Sequence, residues 1–225
     1  MSRCLVIPYR PSSQHTQEAA PSVHLLQSQV TSIVKRFLRS YNYAPPHTQR
    51  DLDLRAQLAQ ECRGWSVEIE PRLLEKMIES SCSYAESAYH HTSPKHRYYI
   101  ALYTACMFYA EELGDENPDA VAQFARRLIK GQRQVNPIFD RLADLLKDAH
   151  VYWTDVGADA IITGTVDALT ATFIEFATAS MPMAPSANRY PYYLRTRAGG
   201  GPQFTHFMFM REWRDTADSY LQILP

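Results

Sequence analysis

Three closely spaced carboxylates at the end of an apolar stretch, in "FYAEELGDENPDA" (residues 108–120), are the first residues able to do chemistry. Glu111 and Asp115 stand four apart, so on a helix they share a face and their like charges repel. With Glu112 they also sit at the negative end of the helix macrodipole, which raises the cost further. A hard divalent cation relieves both penalties. Mg2+ takes one or two protein carboxylates and completes its shell with water and phosphate oxygens. The plainer alternative is a solvated helix end, stopped by Gly114.

A second group lies in "YPYYLRTRAGGG" (190–201), where Arg195 and Arg197 precede three glycines. Each glycine costs about 1 kcal/mol inside a helix, so a break is expected there. A broken helix frees backbone donors and acceptors, and arginine offers a rigid fork of N–H groups to phosphate oxygens. An ordinary loop with two solvated arginines is the competing reading.

The elements that must carry these groups are helical. Val23, Leu26, Val30, Ile33, Val34, Phe37 and Leu38 recur at helical spacing, and the prolines of "NYAPPH" end that element. A second helix is expected over 48–63 and a third after Pro71. Ser93 and Pro94 form a cap and first-turn pair that opens the most apolar helix, to Leu113. "ENPDA" and "NPIFD" open two more, ending near Lys130 and Trp153. A long, weakly charged segment runs from about Asp155 to Met181, and a last helix follows Met210. No alternating pattern or repeat appears. The expected class is all-α, in roughly eight to ten helices arranged as more than a four-helix bundle.

With 225 residues, 45% of them hydrophobic, the chain can bury a full core. Its formal net charge of -1 argues against nucleic acid and a membrane surface as partners. No stretch is expected to span a bilayer, where about 20 apolar residues are needed, and no membrane insertion is expected. Cys4, Cys62, Cys82 and Cys106 have no paired metal spacing, which suits reduced thiols and a cytoplasmic location, with Cys82 and Cys106 buried in helices. Residues 1–20 are expected to be a flexible arm, and 21–225 a single helical domain. Glu86, His90 and His91 could suggest a bundle metal site, but no Glu-x-x-His pair occurs to build one.

Taken together, the two motifs resemble the class I terpenoid synthases, in particular the fungal trichodiene-synthase-like sesquiterpene cyclases. "ALYTACMFYAEELGDE" resembles that family's first metal helix, where Asp-Asp-x-x-Asp/Glu is usual, and "YPYYLRTRAGG" its diphosphate-sensing segment. "TGTVDALTATFIEF" (163–176) resembles the helix between them. The resemblance covers about residues 70–225. It implies Mg2+ held by Glu111, Glu112 and Asp115, Arg195 as the catalytic diphosphate sensor, and farnesyl diphosphate as substrate. Phe108, Tyr103 and Phe173 would line the substrate cavity, plain core packing being the alternative for each. A homodimer is a further option.

Two departures accompany the resemblance. Glutamates stand where the family has its leading aspartates, and one more methylene changes their reach. No match to the family's second metal motif follows Met210, and "SYLQILP" ends on apolar residues, so the chain is expected to be the first part of a longer, truncated synthase. The alternative function is an inactive synthase-like protein with a helical binding role.

Overall fold

The structure, a computed structural model, describes residues 23–44, 49–114, 116–198, 200–213 and 218–224. The arm expected over 1–20, Cys4 and Asp115 lie outside the described residues. Among the latter the fold is all-α, with nine α-helices, two short 3-10 helices and no strand. The helices are α1 (Val23–Ser40), α2 (Leu52–Arg63), α3 (Pro71–Ala88), α4 (Pro94–Leu113), α5 (Pro118–Ile129), α6 (Pro137–Tyr152), α7 (Asp155–Thr178), α8 (Tyr190–Ala198) and α9 (Gly201–His206). The 3-10 turns cover Arg211–Trp213 and Ser219–Ile223.

Two compact units emerge, Met1–His47 and Thr48–Pro225. The first contributes α1, whose Leu26, Val30, Ile33, Val34 and Phe37 are all exposed. Its basic residues Lys35, Arg36 and Arg39 fall on the opposite side of the helical wheel.

In the second unit, one local device starts four helices in succession. A capping side chain precedes a proline, whose missing N–H costs nothing in the first turn. Glu70, Ser93, Asn117 and Asn136 accept from the backbone N–H groups of Leu73, His96, Ala120 and Phe139, and a proline follows each of them. Asp51 and Thr154 cap α2 and α7 in the same way, without the proline.

The core forms around α4, which packs against α2, α3, α6 and α7. Ile100, Ala101, Leu102, Tyr103, Ala105 and Cys106 are fully buried, so successive residues, not one stripe, face protein. Each large side chain buried there contributes about 1.5–3 kcal/mol. Hydrogen bonds lock the aromatic layer above them. The Tyr99 hydroxyl donates to the Leu145 carbonyl at 2.6 Å, and Tyr89 to the Phe204 carbonyl at 2.7 Å. Tyr103 meets Thr165 Oγ1 at 2.8 Å and so joins α4 to α7.

α7 corrects one expectation. It has 24 residues, and an 18-residue stretch of it has a mean hydropathy of 1.3, long and apolar enough by length and composition to cross a membrane. Here it is instead the helix against which α5, α6, α8 and α9 pack, with Ile161, Thr165, Leu169 and Thr172 buried. Glu86, weighed above as a metal ligand, is an ion-pair partner. It accepts from Arg55 Nε and Nη2, each at 2.7 Å, and from the Asp51 N–H at 2.9 Å. Cys62, Cys82 and Cys106 are free and buried, and burial pushes the first two thiols up to about 12.

Candidate active site

α4 ends where its charge begins. Glu111 and Glu112 are both exposed, and Gly114 stops the helix in a right-handed conformation with a φ of -68°. Gly114 is needed for space, not for a left-handed turn. A Cβ there would lie 2.3 Å from the Ala110 carbonyl oxygen, 2.9 Å from the Phe176 ring and 3.1 Å from Val121 Cγ2. The close approach of α5 and α7 thus fixes where α4 releases its carboxylates.

Those carboxylates have different surroundings. Glu112 pairs with Lys76 of α3 at 3.6 Å, an exposed contact worth about 0–1 kcal/mol, and Lys76 lies 5.2 Å from the centre of the Phe108 ring. Glu111 keeps an exposed face, yet the protein packed round its carboxyl raises its pKa. The negative charges of Glu112 and Glu175 push the same way, and the charge of Arg195 opposes them. Glu175 belongs to α7 and was not singled out from sequence. The signal available was a charge in an otherwise apolar segment.

The second motif breaks as its glycines predict. α8 stops at Ala198 and α9 starts at Gly201, with Gly200 between them at a φ of +63°, a conformation glycine adopts without penalty. The two arginines of α8 then part company. Arg197 donates to Asp167 of α7 and to the Tyr193 hydroxyl. Arg195 is exposed and makes no ion pair among the described residues. Its guanidinium is the one whose field reaches Glu111.

Both motifs meet at one cavity of about 140 Å3. Thr104, Met107, Phe108 and Glu111 of α4 form one wall, and Ala198, Gly200, Gln203 and Phe204 the other. The wall is apolar except for Thr104, Glu111 and Gln203. Its volume falls below the roughly 300–1,000 Å3 of ordinary ligand sites, so a long hydrocarbon chain must displace side chains or extend outward. Phe108 and Phe204 are only half-buried, which leaves them room to turn.

Of the expected lining residues, Phe108 alone is on that wall. Tyr103 is fully buried behind it, its ring 5.7 Å from that of Phe204 and 4.9 Å from that of Phe207. Phe173 is a half-buried side chain packed against the core from α7. Helical geometry explains the division. Eight residues turn a helix about 80° past whole turns, which takes Tyr103 off the face of Glu111, whereas Thr104 lies only about 20° from it. Among the described residues no three Asp, Glu, His or Cys side chains gather closely enough to hold a metal ion. The available donors are hard carboxylate oxygens, and the repulsion that adds to burial in raising the Glu111 pKa is what a divalent cation would offset.

No family model matches the chain. Over 212 residues, 93% of its length, it is 24% identical to the terpene synthase BipA of Cochliobolus sativus, of which it spans 64%. It is 24% identical over 186 residues to an (E)-beta farnesene synthase of Metarhizium brunneum, covering 80% of this chain and 55% of that one. Over 127 residues it is 20% identical to the alpha-cuprenene synthase COP6 of Coprinopsis cinerea, covering 56% of this chain and 38% of that one. The chain therefore spans less than two thirds of the length of these curated relatives. All three are fungal terpene synthases by name, and the likeness supports a terpene-synthase-like enzyme with an all-α fold.

Proposed function

We propose that this terpene-synthase-like chain is a sesquiterpene cyclase of the trichodiene-synthase-like group, ionising and cyclising farnesyl diphosphate. The observation that carries the reading is the cavity itself. Glu111 and the broken helix, distant in sequence, line one largely apolar cavity. A cytoplasmic location accompanies the proposal.

In this reading Glu111, Glu112 and Asp115 would hold Mg2+, which when bound would supply positive charge to the diphosphate oxygens. Arg195, with no carboxylate partner among the described residues, is left to donate to those oxygens through its planar fork. Stabilising the departing negative charge lets the allylic carbon–oxygen bond ionise. Met107, Phe108 and Phe204 keep water from the cation, and the two aromatic faces stabilise its charge without reacting with it. Arg197 is engaged by Asp167 and Tyr193 and serves to hold α8 against α7.

The test is incubation of the 225-residue chain with farnesyl diphosphate and Mg2+, followed by gas chromatography–mass spectrometry. A terpene product is expected. Arg195→Ala should lower turnover by at least about 100-fold, the scale of one lost transition-state donor. Arg197→Ala should cost far less turnover and lower the melting temperature instead. Equal losses of turnover in the two variants would remove the special role of Arg195. Absence of product would favour the alternative, a synthase-like protein that binds without turning over.

A further inference from the structure

The formal net charge of -1 conceals a division along the chain. Residues 1–47, the first compact unit, carry five Lys or Arg and one acidic residue, Glu18, a formal charge of +4. Residues 48–225 therefore carry -5. The whole-chain charge speaks against an anionic surface as partner, but such a surface responds to local charge, within a screening length of about 8 Å.

α1 joins this charge to an apolar stripe. At 100° per residue, Leu26, Val30, Ile33, Val34, Phe37 and Leu38 fall within an arc of about 140°, interrupted only by Gln27. The first five of them are 46–58% exposed. No Asp or Glu occurs in the helix, and Lys35, Arg36 and Arg39 lie opposite the stripe. None of the three is in an ion pair among the described residues. They share their side with Ser28, Thr31 and Ser32 around one open depression.

A contiguous exposed apolar face marks a contact surface, and here the charges decide with what. A protein docked on the stripe would leave the three cations on the far side, in water, where they add nothing to the contact. A second copy would also bring a second unit of the same +4 charge. A bilayer surface uses both sides. A helix lying in it sinks its apolar face about 5–10 Å into the acyl boundary, and its width of about 10 Å leaves the opposite side among the headgroups. There the long stems of Lys and Arg reach phosphate oxygens, and the serine and threonine hydroxyls donate beside them.

We infer that α1 is an interfacial helix that holds the protein on anionic phospholipid surfaces, lying in the plane of the membrane and not across it. The inference is independent of the cyclase reading, since the stripe shares no residue with the cavity.

The experiment is flotation of the whole 225-residue chain with phosphatidylcholine vesicles, with or without about 30% phosphatidylserine. Binding to the anionic vesicles should be about 100-fold tighter than to the neutral ones, since each cation near such a surface contributes about fivefold. Raising the salt to about 0.5 M should release most of the bound chain by screening. Substituting Lys35→Gln, Arg36→Gln and Arg39→Gln together should abolish the preference for phosphatidylserine. Ile33→Gln with Phe37→Gln, which keeps good helix formers, should weaken binding to both kinds of vesicle by at least about tenfold. A parent chain that does not float overturns the inference, and so does a preference for phosphatidylserine that survives the triple substitution. A lower melting temperature, or loss of a dimer, in the Ile33→Gln and Phe37→Gln variant without vesicles would show that protein covers the stripe, and overturns lipid as its occupant.

Discussion

Glu111 links stability to chemistry within a single side chain. Its carboxyl titrates above the ordinary value of 4.5, through packing around it and the charges of Glu112 and Glu175. A carboxyl raised in this way favours the folded state fully at pH below 4.5, and that contribution is lost as pH rises through the folded-state pKa. Glu111→Gln removes the charged form. The variant should melt higher than the parent at pH 7, by no more than about 0.5 kcal/mol because the side chain is exposed, with the gap closing below pH 4.5. Thermal melts across pH test this, and a lower-melting variant at pH 7 would contradict it. The same substitution should reduce turnover, since an amide is a poorer ligand for a hard cation than a carboxylate.

At the scale of elements, two junctions carry sharp expectations. Helix propensity alone favours alanine over glycine by up to about 1 kcal/mol, so Gly114→Ala would be stabilising in an isolated helix. The contacts that its Cβ would make with Ala110 and Phe176 reverse the sign. Overpacking of this kind costs about 1–3 kcal/mol, read as a lower urea midpoint. A raised midpoint would mean that α5 and α7 do not close on the end of α4 as described. The α2–α3 junction depends on Glu86 and Arg55, whose side chains are 5% and 15% exposed. Glu86→Ala leaves the arginine buried without its main partner and should cost about 3–5 kcal/mol. An unfolding free energy within 1 kcal/mol of the parent's would show the pair to be dispensable.

For the whole molecule, the helices were legible in the sequence because their starts are written locally. Ser93-Pro94, Asn117-Pro118 and Asn136-Pro137 announce a cap and a first turn whatever the rest of the chain does. The glycine break was legible for the same reason. The meeting of α4 with α9 was not, since it depends on long-range contacts such as that between the Tyr103 and Phe204 rings, which no periodicity encodes. Gln203 left no sequence signal at all, because a buried glutamine and an exposed one look alike before packing is known. Tyr103 and Phe108, five residues apart on α4, differ by about 140° of helical rotation, and that rotation decides which one meets the cavity.

That cavity has a practical property that follows from its lining. Its eight wall residues fall within two short peptides, 104–111 and 198–204. Most are side chains at the core's margin, while Tyr103, Cys106 and Phe207 hold the scaffold behind them. Two mutagenic cassettes would therefore cover the whole contour. Shape and stability become separable targets for directed evolution, with libraries drawn on one layer and selection for folding resting on the other.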